Sequence, residues 1–237
     1  EHTYIMYMDS NNLYGFSMIQ PLPFADFKFL DDADIYKVNY LQVPDDASTG
    51  YILEVDLEYP AHLHDLHNDY PLAPESILIT QDMLSPFCKS FKQKHIDAKK
   101  LVPNLRNKIK YTLHFRNLKL YASLGLKITK IHRVLSFAQK PWMKPYIDFN
   151  TQKRKFAKND FEKDLFKLMN NSVFGKTMEN VRLRKNIELV SDEKKLMKLL
   201  SKPQLDSFKI INENAVLVDR VRKSVKLDKP MYAGLCI

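Results

Sequence analysis

Two hydrophobic periods alternate along the chain, and their boundaries predict its elements. Residues 3–8 form an apolar run of strand character that stops at Asp9 and the polar Ser10-Asn11-Asn12. Residues 49–60 predict a second strand, entered through the turn-rich Val-Pro-Asp-Asp-Ala-Ser-Thr-Gly, with Ile52, Val55 and Leu57 marking its buried part. Pro71 and Pro74 then interrupt regular structure. Across 76–150 apolar and basic runs mix, and the later half reads as a strand, a helix around 115–124 and another strand. The spacing predicts one long helix over 152–178, with Phe161, Leu165, Leu168, Met169 and Val173 on a broad apolar face and Asp160, Lys163, Lys167, Asn171 and Phe174 opposite. Residues 186–190 suggest a strand, 192–202 a short helix ended by Pro203, and 208–227 a hairpin turning at 212–214 with a basic second arm.

This mixture makes the fold class α+β. A chain of 237 residues with 45% apolar content supports a substantial core and argues against disorder as its main theme. Lys and Arg number 37 against 28 Asp and Glu, a net charge of +9, which favours a polyanionic partner. The two cysteines, Cys88 and Cys236, form neither a disulfide framework nor a CxxC metal site, so a reducing compartment is expected. The longest apolar stretch falls far short of the roughly 20 residues of a membrane helix, and no membrane partner is expected. Five glycines, none in a P-loop or GxGxxG arrangement, argue against those nucleotide-binding loops. The start lacks an initiator Met and a signal-peptide layout, and the end falls inside an apolar run; the expectation is a piece of a longer protein.

Four features carry candidate chemistry. Asp9, at the end of an apolar strand, is poorly placed for packing and well placed to hold a metal. Lys163 and Lys167, one helical turn apart and followed a turn later by Asn171, suit a triphosphate, although an ordinary wet lysine face has the same pattern. Basic residues over 76–140 interleave with Tyr111, Phe115 and Tyr121, which fits either nucleic-acid contact or a solvated face. His62, His64 and His67 near Asp65 have metal-ligand spacing, but surface histidines are common and zinc is the lesser reading.

Two segments together resemble a known family. Asp9-Ser10-Asn11-Asn12-Leu13-Tyr14-Gly15 is similar to D-x-x-S-L-Y-P, motif A of family B DNA polymerases, and residues 167–175, Lys-Leu-Met-Asn-Asn-Ser-Val-Phe-Gly, resemble their motif B, K-x-x-x-N-S-x-Y-G. Their order, their separation by about 150 residues of basic sequence and the following Lys176 make the pair specific. The wider wording, including Asn12–Pro23 and residues 64–75, is similar to the protein-primed branch found in Polinton-like mobile elements and linear plasmids. Asn12 replaces Ser, Gly15 replaces Pro, and Phe174 replaces Tyr.

The resemblance implies an incomplete polymerase palm with an antiparallel sheet over 1–75, an insertion of terminal-protein and DNA-contact type over 76–143, helical fingers over 144–182 and a hairpin-containing insertion over 183–237. It implies template-directed nucleotidyl transfer with two Mg²⁺ ions, about 3.5–4 Å apart in such sites. Asp9 and the Ser10 main-chain carbonyl would be ligands, and Tyr14 would exclude a ribose 2′-hydroxyl. Leu13, Tyr14, Lys155, Lys163, Lys167 and Asn171 would contact the incoming deoxynucleotide (dNTP), and Ser172, Phe174, Gly175 and Lys176 the template or nascent pair. Implied partners are primer–template DNA, dNTP and a terminal priming protein; nucleus and mitochondrion both suit a mobile element. The DTDS of motif C occurs nowhere in the sequence, so the metal site is expected to be incomplete and the chain alone inactive. The alternatives are a non-catalytic nucleic-acid-binding remnant of a mobile element and, with the motif pairing accidental, an unrelated structural domain.

Overall fold

A computed structural model describes residues 4–10, 12–90, 99–221 and 224–237. In chain order its principal elements are α1 (Leu13–Met18), β1 (Leu22–Phe29), α2 (Asp32–Ile35), β2 (Thr49–Glu58), β3 (Glu75–Leu78) and α3 (Pro86–Ser90). There follow β4 (Lys99–Val102), β5 (Lys108–His114), α4 (Phe115–Ser123), β6 (Lys127–Lys140), α5 (Lys144–Lys155) and α6 (Asp160–Thr177). The last are β7 (Asn186–Val190), α7 (Glu193–Leu200), β8 (Leu205–Asn212), β9 (Ala215–Arg220) and α8 (Met231–Gly234). The chain divides into two units, one of residues 18–144 with Cys236 and one of residues 1–17, 145–235 and 237.

The 18–144 unit is built on an antiparallel four-stranded sheet in the order β1-β6-β2-β5, which draws strands from both sides of residue 75. The strand expected at 49–60 is β2. Its period of two puts Leu53, Val55 and Leu57 into a core with Phe115 and Leu118 of α4, Leu113 and Val134. The intervening side chains meet the basic strand beside them: Glu54 accepts from Arg133 at 2.6 Å, Asp56 lies 2.8 Å from His132 Nε2, and Glu58 lies 3.4 Å from Lys127. Much of the positive charge on β6 is therefore matched inside the sheet. The aromatic residues interleaved with that charge turn inward. Phe115 is in the core and Tyr111 and Tyr121 pack against it, because burial of a ring outweighs its use as an exposed base-stacking surface.

His114 caps α4, its Nδ1 accepting the Arg116 amide, and burial pushes its pKa down to about 4, with the Arg116 charge helping. Tyr59 Oη and His67 Nδ1 are hydrogen-bonded at 2.8 Å, and His64 packs edge-on against the same ring. No group of three or more His, Cys, Asp or Glu side chains able to hold a metal occurs among the described residues. Cys88 and Cys236 are free thiols.

In the other unit, residues 4–10 have no regular structure, against the strand expected over 3–8; residue 3 lies outside the described residues. An apolar run becomes a strand only with a partner ladder, and no described strand pairs with it, leaving Tyr4 to Met8 66–100% exposed. The single helix expected over 152–178 is two helices. Asn159 accepts from the Glu162 amide at 2.8 Å while Glu162 accepts from the Lys158 amide at 2.9 Å, so a capping sequence starts α6 afresh. The inward face of α6 also differs from the expected one. Asn170 and Thr177 are buried, and Phe166, Met169, Val173 and Phe174 half-buried, whereas Phe161 and Leu168 are 75% and 62% exposed. Gly234 lets α8 approach the end of α6, since a Cβ there would lie 2.5 Å from Thr177 Oγ1.

The expected hairpin is part of a three-stranded antiparallel sheet, β7-β9-β8, that packs Val190, Val216 and Val218 against Leu196 and Leu199 of α7. Its second arm ends at Arg220 rather than 227, because β9 is held in register by β7 and β8 only to that point. Residues 222–223 of the basic arm lie outside the described residues. Arg220 and Lys185 are occupied by Glu188 and Asp219.

Candidate functional site

The cleft that matters lies wholly within the unit containing α5 and α6. It has a volume of about 280 Å³ and is lined by Asp9, Ser10, Asn12, Leu13, Tyr14, Arg154, Lys167 and Asn171. Segments more than 130 residues apart in sequence thus meet at one place.

The first wall is a sharp turn into a short helix. Asn12 has φ 56°, a left-handed conformation that asparagine adopts more readily than most residues, and its carbonyl accepts the Phe16 amide at 2.9 Å. Its side chain folds over Gly15 so closely that a Cβ there would collide with the Asn12 carboxamide. The two departures from motif A are therefore linked: the larger Asn12 occupies the room that any side chain at 15 would need. This turn sets Asp9 and Ser10 at the cleft with Leu13 and Tyr14 beside them.

The second wall comes from α5 and α6. Lys167 and Asn171, i and i+4 on α6, share the cleft-facing side. Tyr14 and Phe174 stack, ring centroids 4.4 Å apart and planes at 21°. Neither Asp9, Lys167 nor Arg154 has an ion-pair partner among the described residues. A carboxylate and two cations are thus left open to a ligand in one concavity.

Of the residues singled out in the sequence, Asp9, Ser10, Leu13, Tyr14, Lys167 and Asn171 come together here. Lys155 and Lys163 lie outside the lining; Lys155 Nζ sits 5.9 Å from the centre of the Phe156 ring. Ser172 is exposed and its hydroxyl donates to the Met169 carbonyl at 3.3 Å. Gly175 is exposed, with nothing within 4 Å of a Cβ placed on it. Lys176 is 3.5 Å from Glu179, whose carboxyl is held down to about 2 by Arg184 first and by Lys176 in addition. Sequence reasoning missed Arg154. The signal was the break after Lys155, which the Asn159-x-x-Glu162 capping pattern announces and which frees α5 to set its own face.

The fold is similar to that of phi29 DNA polymerase. The orthorhombic crystal form superposes with a TM-score of 0.50 at 16% identity, covering 96% of this chain and 32% of that one. The phi29 enzyme complexed with primer–template DNA, a post-translocation binary complex, gives 0.47 at 15% identity over 96% and 31%. Its ternary complex with primer–template and incoming nucleotide gives 0.49 at 17% over 96% and 32%. The chain thus spans about a third of the length of the phi29 polymerase chains it matches. No curated protein matches it. Residues 1–231 match the family described as DNA polymerase type B, organellar and viral, and the chain belongs to that family.

Proposed function

We propose that this chain carries the nucleotide-binding part of a protein-primed, template-directed DNA polymerase. One observation carries the reading. Asp9, Ser10, Leu13 and Tyr14 from the motif A segment share a cleft with Lys167 and Asn171 from the motif B segment, as an incoming dNTP requires. Asp9 supplies the carboxylate end, Lys167 and Asn171 face the phosphates, and Tyr14, backed by Phe174, borders the sugar. Lys155 and Lys163, which do not line the cleft, lie on the same two helices as its cations. Ser172, Phe174, Gly175 and Lys176 follow along α6 toward the template and nascent pair, Gly175 leaving backbone accessible.

In this reading 1–75 is palm, 76–143 an insertion that contacts DNA and terminal protein, 144–182 fingers and 183–237 a second insertion. β5 and β6, from the 76–143 segment, share one sheet with β1 and β2, so in this reading the insertion is built onto the palm strands rather than hung from them.

The family implies magnesium. Asp9 and the Ser10 carbonyl are hard oxygen donors of the type Mg²⁺ takes, and Asp9 has no ion-pair partner among the described residues. The fit is partial, because no cluster of three or more acidic or other ligating side chains surrounds Asp9 among the described residues. Asp9 and Ser10 would hold one edge of a metal site whose ions polarise the reacting phosphate, and the chain alone is inactive in polymerisation. The lone carboxylate also fits the second reading, a non-catalytic nucleic-acid-binding remnant of a mobile element.

The test is equilibrium binding of dATP to the purified chain with Mg²⁺, by calorimetry, for wild type and Lys167→Ala. Binding that is lost in the variant supports the nucleotide cleft. No nucleotide binding, with primer–template DNA still bound, favours the remnant.

A further inference from the structure

Helices α5 and α6 meet on a polar seam. The buried side chains of α5 are Ile147 and Asn150, and those of α6 are Asn170 and Thr177, so three of the four are polar. Two hydrogen bonds set which parts of the helices face each other. Tyr146 Oη donates to the Met169 carbonyl at 3.3 Å, and Asn170 Nδ2 donates to Thr151 Oγ1 at 3.4 Å. Asn150 falls between those contacts on α5 and is 0% exposed, while Asn170 is 2% exposed. Thr177 is satisfied within its own helix, its hydroxyl donating to the Phe174 carbonyl at 2.8 Å. The asparagines are not. Oδ1 and Nδ2 of Asn150 and Oδ1 of Asn170 are buried with no hydrogen-bond partner among the described residues.

We infer that Asn150 and Asn170 hold ordered water between α5 and α6, a buried polar site that joins the two helices. Unpaired buried amide groups are costly, and protein interiors satisfy them with protein groups or with water. The set of open groups selects the ligand. Two carboxamide oxygens need donors and one carboxamide nitrogen needs an acceptor, so Nδ2 repels a cation and the oxygens repel an anion, whereas water both donates and accepts. Turning the Asn150 carboxamide over exchanges its two atoms and leaves the same need. The site does not depend on what the cleft binds, since neither asparagine lines the cleft. Its place nonetheless matters there: Asn150 is one helical turn before Arg154 and Asn170 directly precedes Asn171, and both of those residues line the cleft. Two apolar residues could slide past each other at this seam, but groups hydrogen-bonded to a shared water set one register of α5 against α6.

The experiment is a crystal structure of the full 237-residue chain at a resolution that shows ordered water, joined by thermal unfolding of three variants. Water within hydrogen-bond reach of both Asn150 and Asn170 is the expected result. A dry seam, a bound ion in that place, or direct pairing of the two carboxamides overturns the assignment. In unfolding, Asn150→Leu and Asn170→Leu are each expected to lower the transition temperature by about 3–10 °C, because each strips the shared water of a partner and leaves the opposite amide unpaired. The double variant is expected to lose clearly less than the two single losses added, since it leaves no amide behind at the seam. Losses that simply add refute the link through shared water. Where a single variant fails to fold, the structure of the unaltered chain still decides between a watered and a dry seam.

Discussion

Phe174 lies flat against Tyr14, its ring centroid 4.4 Å away, and thereby fixes the ring proposed to border the sugar of a bound nucleotide. A single aromatic side chain 48% exposed at a cleft would sample several rotamers; stacking removes that freedom at a gain on the order of 1 kcal/mol. Tyr14→Val is expected to bring ATP affinity to within about threefold of dATP affinity, since specificity here is a difference between two binding energies. Phe174→Ala is expected to relax the preference by less, and the double variant to match Tyr14→Val, because the two side chains act as one unit. Competition binding of ATP against dATP checks this. An undiminished preference in Tyr14→Val would remove Tyr14 from the sugar.

Gly15 and Asn12 form a second coupled pair. Any side chain at 15 collides with the Asn12 carboxamide, so Gly15→Ala is expected to weaken dATP binding and lower thermal stability by about 1–2 kcal/mol. Adding Asn12→Ser, which withdraws the obstructing atoms, should recover most of that loss. Equal damage in the single and double variants would refute the link.

Gly175 behaves differently, although both glycines belong to the recognisable motifs. Nothing stands within 4 Å of a Cβ there, so Gly175→Ala is expected to stabilise α6 by about 0.5–1 kcal/mol while weakening primer–template binding. Thermal unfolding and DNA anisotropy measured on the same preparation read the two effects separately. A stabilised variant with unchanged DNA affinity would mean that no backbone approaches this position.

These positions also show which parts of the structure were legible in the sequence. Strand β2, helix α4 and the α7 region could be read because each carries its own period and its own turn residues. Asp9, Tyr14, Lys167 and Asn171 were legible as motif positions. The segment 4–8 has the composition of a strand, but a ladder is a property of two segments and no local signal supplies the second. The face of α6 was misjudged because Phe161 and Leu168 are as apolar as Phe166 and Phe174; which stripe is buried depends on where Tyr14 and α8 pack. Arg154 was hidden by the same error that fused α5 with α6. The basic stretch with Tyr111, Phe115 and Tyr121 could be read either as a nucleic-acid face or as a solvated one, because composition does not reveal that these rings are in or against the core.

The pH response of the sheet unit follows from His114. Burial first, then the Arg116 charge, lowers its pKa to about 4 from 6.5, so the folded protein keeps it neutral while the unfolded chain takes up a proton near 6.5. Stability from this group is complete above pH 6.5 and falls as the pH drops toward 4, a loss on the order of 3 kcal/mol across that window. His114→Asn retains a capping side chain and should flatten this part of the curve, whatever its effect at pH 7. Urea unfolding at several pH values tests it; an identical slope in the variant would place the pH dependence elsewhere.

The cleft around Asp9 is proposed to belong to a template-directed polymerase. The most direct measurement is primer extension with Mg²⁺ and all four dNTPs, comparing the chain with a version that continues into the reading frame after Ile237, each with and without Asp9→Asn. Extension is expected only from the longer protein, and is lost in Asp9→Asn. Extension that survives Asp9→Asn, or none from the longer protein, would contradict it.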